Sequence, residues 1–313
     1  MSVEYAIIVK NKTRLEALIE RFNTRDQAKF YIERLGGNFK DYVVEHDIFH
    51  HSLEKIQKQL ATTLKNKVVE RTFLPNYIFS EKNVIVVIGQ DGLVANTAKY
   101  SKGVPMIAVN PDVSRYDGVL LPFDSSNFIY GIESVMNNTF NYQTMRFAEA
   151  SLNDGQKLLA FNDLFIGASS HVSARYKISF NNLTEEHSSS GILVSTQAGS
   201  TGWLSSVFNM AYGVAGMFEK NIKLKRPKLK ESDLLFAVRE PFQSIKTQIG
   251  ITAGLLKGQN NLVIESLMPN NGVIFSDGIE NDFLKFNSGT IATIGLANET
   301  AKLVKNDTGT VKK

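Results

Sequence analysis

Residues Val84 to Asn96, Val-Ile-Val-Val-Ile-Gly-Gln-Asp-Gly-Leu-Val-Ala-Asn, limit what this chain can fold into more than any other stretch. The apolar run Val84 to Ile88 reads as a strand that stops at Gly89, and Leu93 to about Tyr100 reads as a helix. Between them lies the turn Gly89-Gln90-Asp91-Gly92. Glycines let a backbone approach a ligand closely, and free N–H groups at a helix start attract phosphate. An Asp between two such glycines is placed to hold a metal ion or to take a proton. It is poorly placed to build a core. The plain alternative is an ordinary strand-to-helix connection.

The first half of the chain repeats this alternation. Tyr5 to Val9, Val68 to Phe73, Val84 to Ile88 and Met106 to Val109 read as strands. Arg14 to Leu35, broken near Asn23, reads as helix, as do Asp47 to Leu64 and Ser125 to Met136. Thr24-Arg25-Asp26-Gln27 fits a capping box, and Gly36-Gly37 ends that helix. Alternating strands and helices predict a mainly parallel sheet covered on both faces, with ligands beyond the carboxyl ends of the strands. The pattern changes near residues 138 to 145. Strand signatures then dominate, including Val172 to Phe180, Gly191 to Thr196, Leu234 to Val238, Ile249 to Ala253, Asn261 to Ser266, Gly272 to Phe275 and Thr290 to Ile294. Only Thr201 to about Tyr212 looks helical. The expected division is an α/β domain over 1–143, a β-rich, sandwich-like domain over 144–290, and a C-terminal strand and tail over 291–313 that returns to the first domain. Beyond Glu299 the sequence is polar and reads as a frayed end.

A second glycine turn supplies further candidates. Ser195-Thr196-Gln197-Ala198-Gly199-Ser200-Thr201-Gly202-Trp203 links a strand to a helix. Small residues and hydroxyls there form an anion-accepting corner, and Trp203 offers a flat surface for a base. Read blandly, the segment is an N-cap. Asn162-Asp163 reads first as a turn after a strand, and second as a pair for ribose hydroxyls. His46 and His50 have the i, i+4 spacing of metal ligands, but no third ligand suggests itself, so a solvated helix face is expected. His171 is expected to face solvent. Lys220, Lys223, Lys225, Arg226, Lys228 and Lys230 read as a solvated loop, with a polyphosphate contact as the alternative.

Composition excludes several classes. The 313 residues carry 35 basic and 31 acidic side chains, a net charge of +4, too balanced for a nucleic-acid binder. The hydrophobic fraction is 43%, which predicts a globular fold rather than disorder. There is no cysteine, so disulfides, thiolate metal sites and cysteine nucleophiles are ruled out. No apolar run approaches a membrane span or a signal-peptide core, and a cytoplasmic protein is the default. The P-loop and the Rossmann glycine fingerprint are both absent.

Taken together, the motifs resemble those of the NAD kinase family. That family carries, in order, a G-G-D-G-T turn, an Asn-acidic pair and a T-P-T-G-S-T-A-Y segment. Here the order reads Gly89-Gln90-Asp91-Gly92-Leu93, Asn162-Asp163, and Thr196-Gln197-Ala198-Gly199-Ser200-Thr201-Gly202-Trp203. Val109-Asn110 resembles the family's Gly-Val-Asn segment. The stretch from Asn110 to Gly118 looks closer to the divergent mitochondrial-type branch. Gln90 stands for a glycine, Leu93 for a threonine, Gln197 for a proline, and Ser190 for an Asp common before Gly191.

The resemblance implies an α/β domain and a β-rich domain with the site between them. It also implies transfer of the terminal phosphoryl group of ATP or polyphosphate to the adenosine ribose 2′-hydroxyl of NAD(H), with Mg²⁺ or another divalent cation. By analogy Asp91 would activate the hydroxyl or hold Mg²⁺. Gly89, Gly92, Gly199 and Ser200 would face phosphates. Asn110, Asn162, Asp163, Thr196, Thr201 and Trp203 would contact the dinucleotide, Trp203 in place of the family tyrosine. A homo-oligomer is implied as well. Two alternatives stay open: a kinase of the same fold acting on a sugar or lipid hydroxyl, suggested by Gln90 and Ser190, and a non-catalytic dinucleotide sensor.

Overall fold

The computed structural model describes residues 3–218, 226–258 and 260–307. Contacts divide the chain into two compact units, Met1–Met145 with Ala301–Lys313, and Arg146–Thr300.

The first unit holds strands β1 (Tyr5–Lys10), β2 (Lys65–Glu70), β3 (Asn83–Ile88), β4 (Pro105–Asn110) and the short β5 (Phe123–Asp124), with helices α1 (Arg14–Phe22), α2 (Arg25–Arg34), α3 (Phe39–Ala61), α4 (Asp91–Ala98) and α5 (Phe128–Met136). The strand order is β2-β1-β3-β4, with every pair parallel. Parallel neighbours need crossovers, and the helices supply them. Strand β3 is buried at every position, as its unbroken apolar run requires of a strand covered on both faces. Ile56 and Leu60 of α3 and Phe128 and Ile132 of α5 pack on the strands in one apolar cluster.

The second unit is antiparallel. In order follow β6 (Tyr142–Leu152), β7 (Lys157–Ala160), β8 (Asp163–Ala168), β9 (Ala174–Phe180), β10 (Leu183–Ser189), β11 (Ile192–Ser195), α6 (Trp203–Phe218), β12 (Asp233–Val238), β13 (Ala253–Lys257), β14 (Leu262–Ser266), β15 (Gly272–Ser276), β16 (Ile279–Lys285) and β17 (Ile291–Val304). One sheet has the order β13-β12-β11-β8-β15-β16, and β10-β9-β14-β17 are consecutive strands of the other. Ile166, Val194, Phe236 and Ile274 of the first share a core with Tyr176, Ile178, Ile264 and Ile294 of the second. Two sheets facing each other across this core make a sandwich, and Leu204 of α6 packs with Leu193, Leu235 and Ala237 on the other face of the first sheet.

Several expectations need correction. The run Val68 to Phe73 is a strand only to Glu70; Arg71–Asn76, which contains Pro75, is a 3-10 helix. Ser125 lies before α5, which begins at Phe128. Ile249 to Ala253 is not a strand as a whole. The Ile251 N–H bonds to Glu185 Oε2 at 3.0 Å, and a Cβ on Gly250 would lie 2.3 Å from Glu185 Oε1. A side chain holds the backbone at Ile251, and the neighbouring β12 takes it up at Thr252, whose carbonyl accepts the Val238 N–H at 2.7 Å. The stretch just beyond Glu299 is not frayed: β17 runs to Val304, with Ala301, Leu303 and Val304 buried and Lys302 and Leu303 paired with β4, while residues 308–313 lie outside the described residues. Thr24 caps α2 by accepting the Gln27 N–H, while the reciprocal box forms at Thr13 and Glu16. Among the described residues no helix is long and apolar enough to cross a membrane.

Candidate functional site

In the first unit the site is built from the end of β3 and the start of α4. Gly89 adopts φ +156°, and a Cβ there would lie 3.0 Å from Leu93 Cδ2. Leu93 itself is buried, so an apolar side chain fills this position under the turn. A Cβ on Gly92 would meet nothing within 4 Å, so no protein atom requires glycine there. Gln90 precedes the helix and is exposed, with no side-chain capping bond.

Asp91, the first residue of α4, is held by a loop. Its Oδ2 accepts the Val119 N–H at 3.1 Å and its Oδ1 accepts the Leu120 N–H at 2.9 Å. Asn110 at the end of β4 shapes that loop. It is 5% exposed, its Nδ2 donates to the Tyr116 carbonyl, and its Oδ1 accepts the Asp112 N–H, each at 2.9 Å. Gly118 turns the loop at φ +63°, with Asn110 Nδ2 3.0 Å from where a Cβ would be. Asn110 thus reaches Asp91 through the loop rather than directly. Gly89, Gln90 and Gly92 line a cavity of about 370 Å³ together with Lys12, Arg14 and Arg71. Arg14 is paired with Glu45 on the same wall.

In the second unit the residues from Phe161 to Asp163 form a strap. The Asp277 carboxylate accepts three consecutive N–H groups, from Phe161 at 3.1 Å, Asn162 at 2.6 Å and Asp163 at 3.3 Å. On the other side the Thr196 hydroxyl donates to the Phe161 carbonyl, and the Thr196 N–H donates to the Asn162 carbonyl at 2.9 Å. The Gly199 N–H in turn donates to Thr196 Oγ1 at 3.2 Å. Gly199 lies so close that a Cβ would fall 2.3 Å from the Asn162 carbonyl oxygen. Asp163 opens β8, and its Oδ1 is buried without a hydrogen-bond partner. Burial pushes the Asp163 carboxyl up to about 7, the Asp277 charge adds to this, and Ser195 opposes it. Among the sequence-based candidates, Asn162, Asp163, Thr196 and Gly199 therefore meet at one place. Thr196 is 5% exposed and spends its hydroxyl on the strap.

Ser200 and Thr201 follow on a short 3-10 turn, where the Ser200 hydroxyl donates to the Gln197 carbonyl and Thr201 is exposed. Trp203 stacks on Phe165 at a centroid distance of 5.7 Å and 9° between planes, and the Arg239 guanidinium lies 5.4 Å from its centroid. Protein groups thus already engage the ring read as a surface for a base. Trp203, Phe165, Arg239 and Ser190 line a cavity of about 1020 Å³ in this unit. His171 is exposed and lines it too. Of the basic stretch, Lys220, Lys223 and Lys225 lie outside the described residues. Lys228 and Lys230 are exposed, and Arg226 bonds to Ser205 and Asn209 of α6. Asp277 was missed: Asp277-Gly278 reads only as a turn, with φ +55° and +69°, and nothing local marks its three distant N–H partners.

No protein-family model and no curated protein sequence matches the chain. Solved structures do. An NAD kinase from Archaeoglobus fulgidus in complex with ATP aligns over 97% of this chain and 94% of its own, with a TM-score of 0.55 and 15% identity. Yeast NADH kinase complexed with NADH aligns over 98% and 84%, with a TM-score of 0.60 and 12% identity. The fold is NAD kinase-like. At this identity the likeness is one of fold, and the roles of residues rest on their chemistry.

Proposed function

We propose that this protein is an NAD kinase-like phosphotransferase. The adenosine ribose 2′-hydroxyl of NAD or NADH attacks the terminal phosphorus of ATP, or of polyphosphate. The bond from that phosphorus to the bridging oxygen breaks, ADP or a shortened polyphosphate leaves, and the hydroxyl proton passes to Asp91. Such a transfer needs positioning and charge neutralisation more than covalent help. A carboxylate within hydrogen-bond reach of the attacking hydroxyl suffices as base.

The observation that carries this reading is Asp163. A carboxyl oxygen buried without a partner, on a backbone clamped by Asp277 and Thr196, is a costly feature unless it serves a ligand. A sugar hydroxyl satisfies it by donating to it. In this reading Asn162 and Asp163 bind the dinucleotide, Thr196 and Gly199 position them, and Ser200, Thr201 and Trp203 flank it. Gly89 and Gly92 leave room for phosphate, and Asn110 acts by shaping the loop that holds Asp91. After accepting two N–H bonds, Asp91 keeps one lone pair on each oxygen. That fits a divalent cation bound mainly by the donor's phosphates, and among the described residues no group of three ligands includes Asp91. Bound Mg²⁺ would neutralise phosphate charge.

The test is a panel of acceptors incubated with ATP or polyphosphate and Mg²⁺. NADP or NADPH is the expected product, and Asp91→Asn should lower turnover by about 10²–10⁴-fold in a chain that still folds, with a lowered melting temperature because Asn accepts only one of the two loop N–H bonds. Unchanged turnover in that variant removes Asp91 from the role. Gln90, exposed on the first cavity, and Ser190, on the second, favour one other reading: a kinase of this fold with a different hydroxyl acceptor. Phosphorylation of a sugar or lipid but not of NAD(H) would establish it. Dinucleotide binding without any transfer would indicate a sensor.

A further inference from the structure

A second site lies in the first unit, where the sequence offered two histidines and no partner for them. His46 and His50 sit one turn apart on α3, with ring centroids 4.3 Å apart. The structure supplies the missing third group from α1. A ring nitrogen of each histidine and a carboxylate oxygen of Glu16 all lie within 4.8 Å of one another. We propose that Glu16, His46 and His50 bind a borderline divalent cation of the Zn²⁺ type.

The trio is organised before any ion arrives. Glu16 is the N3 residue of the α1 capping box, so its Oε2 is fixed by the Thr13 N–H at 2.7 Å. That leaves Oε1 facing His50 Nε2 at 2.9 Å. His46 Nδ1 lies 2.9 Å from the Thr13 hydroxyl, a contact of the kind that fixes ring orientation in metal-ligating histidines. All three residues are partly buried, which limits their freedom while leaving an approach for the ion and a water.

Ligand chemistry selects the ion. Two imidazole nitrogens and one carboxylate oxygen suit Zn²⁺ and its neighbours, with water in the fourth position, whereas Mg²⁺ and Ca²⁺ prefer oxygen throughout. One opposing charge is present: Lys10 Nζ lies 3.6 Å from Glu16 Oε1. It also lies 3.8 Å from Glu70, which can retain it when an ion takes the Glu16 oxygen. The site is separate from Asp91, and Mg²⁺ supplied for phosphoryl transfer would not compete for it. It is nevertheless coupled to that region, because Thr13 and Arg14 at the start of α1 line the cavity at Gly89 and Gly92.

The test uses the full chain, stripped with chelator and then dialysed against micromolar Zn²⁺ with metal analysis, and separately titrated with Co²⁺ by visible absorption. One Zn²⁺ per chain is expected, undisturbed by excess Mg²⁺, with intense tetrahedral Co²⁺ bands. His46→Ala and His50→Ala should each weaken binding by about ten-fold or more. Glu16→Gln keeps an N3 side chain able to close the capping box, so it should fold normally and still lose affinity. His51→Ala, on the same helix but outside the trio, should change nothing. Absence of stoichiometric Zn²⁺ binding by the unaltered chain would overturn the proposal. So would affinity that survives in Glu16→Gln and in both histidine variants.

Discussion

Replacing Asp163 by Asn separates the cost of this residue from its use. An ordinary aspartate titrates near 3.9 (roughly, in an unfolded chain), whereas the folded chain holds Asp163 at about 7. Below about pH 4 both states carry the proton, and burial of the carboxyl adds no pH-dependent cost. Between there and about pH 7 the folded state binds a proton that the unfolded state has lost, so wild-type stability falls as pH rises. Above about pH 7 the cost is complete. At about 1.4 kcal/mol per pH unit it is on the order of 4 kcal/mol. Water reaches a partly exposed side chain and relaxes some of this, so about 2–4 kcal/mol is expected. Asn keeps the shape and has no charge to desolvate. Urea unfolding of both proteins from about pH 4 to pH 8 should give nearly equal stabilities at the acid end and a growing advantage for Asp163→Asn at the alkaline end. Parallel stability curves would refute the reasoning, because they would mean that Asp163 is solvated like any surface carboxylate. In the same variant, binding of NAD(H) should weaken even as stability rises, the signature of a group kept for a ligand.

The remaining expectations concern the same framework. Gly199→Ala places a methyl 2.3 Å from the Asn162 carbonyl oxygen, and should destabilise the protein by about 1–3 kcal/mol in thermal unfolding. Asp277→Asn loses at least one of three charge-assisted bonds to the strap, at about 1.5–3 kcal/mol, and should lower the apparent pKa of Asp163, readable by NMR titration of its carboxyl. Gly92→Ala meets no protein atom within 4 Å, so its melting temperature should be within a degree or two of wild type while KM for the phosphoryl donor rises; an unchanged KM would show that no phosphate passes there.

Much of the architecture was legible in one dimension. The alternation of strand and helix up to Met136 announced a parallel sheet, because a strand such as Val84 to Ile88, apolar at every position, needs cover on both faces. The alternating burial of β9 announced a sheet with one face to the core for the same reason. The glycine turns were visible as well, since backbone permissiveness is a property of the residue itself. Partnership across long sequence separations was not visible. Asp277 looks like any residue of an Asp-Gly turn until β15 brings it beneath the N–H groups of residues 161 to 163. Asp163 owes its raised pKa to burial and to that same neighbour, neither of which a sequence displays. Glu16 is a helix-capping residue in sequence, and becomes a possible third ligand only once α1 packs beside α3. Local propensity and periodicity act within a few residues and are written into the chain. Desolvation, charge pairing and ligand geometry depend on distances that only the packed chain sets, and those are what brought separate candidate residues together into a candidate site.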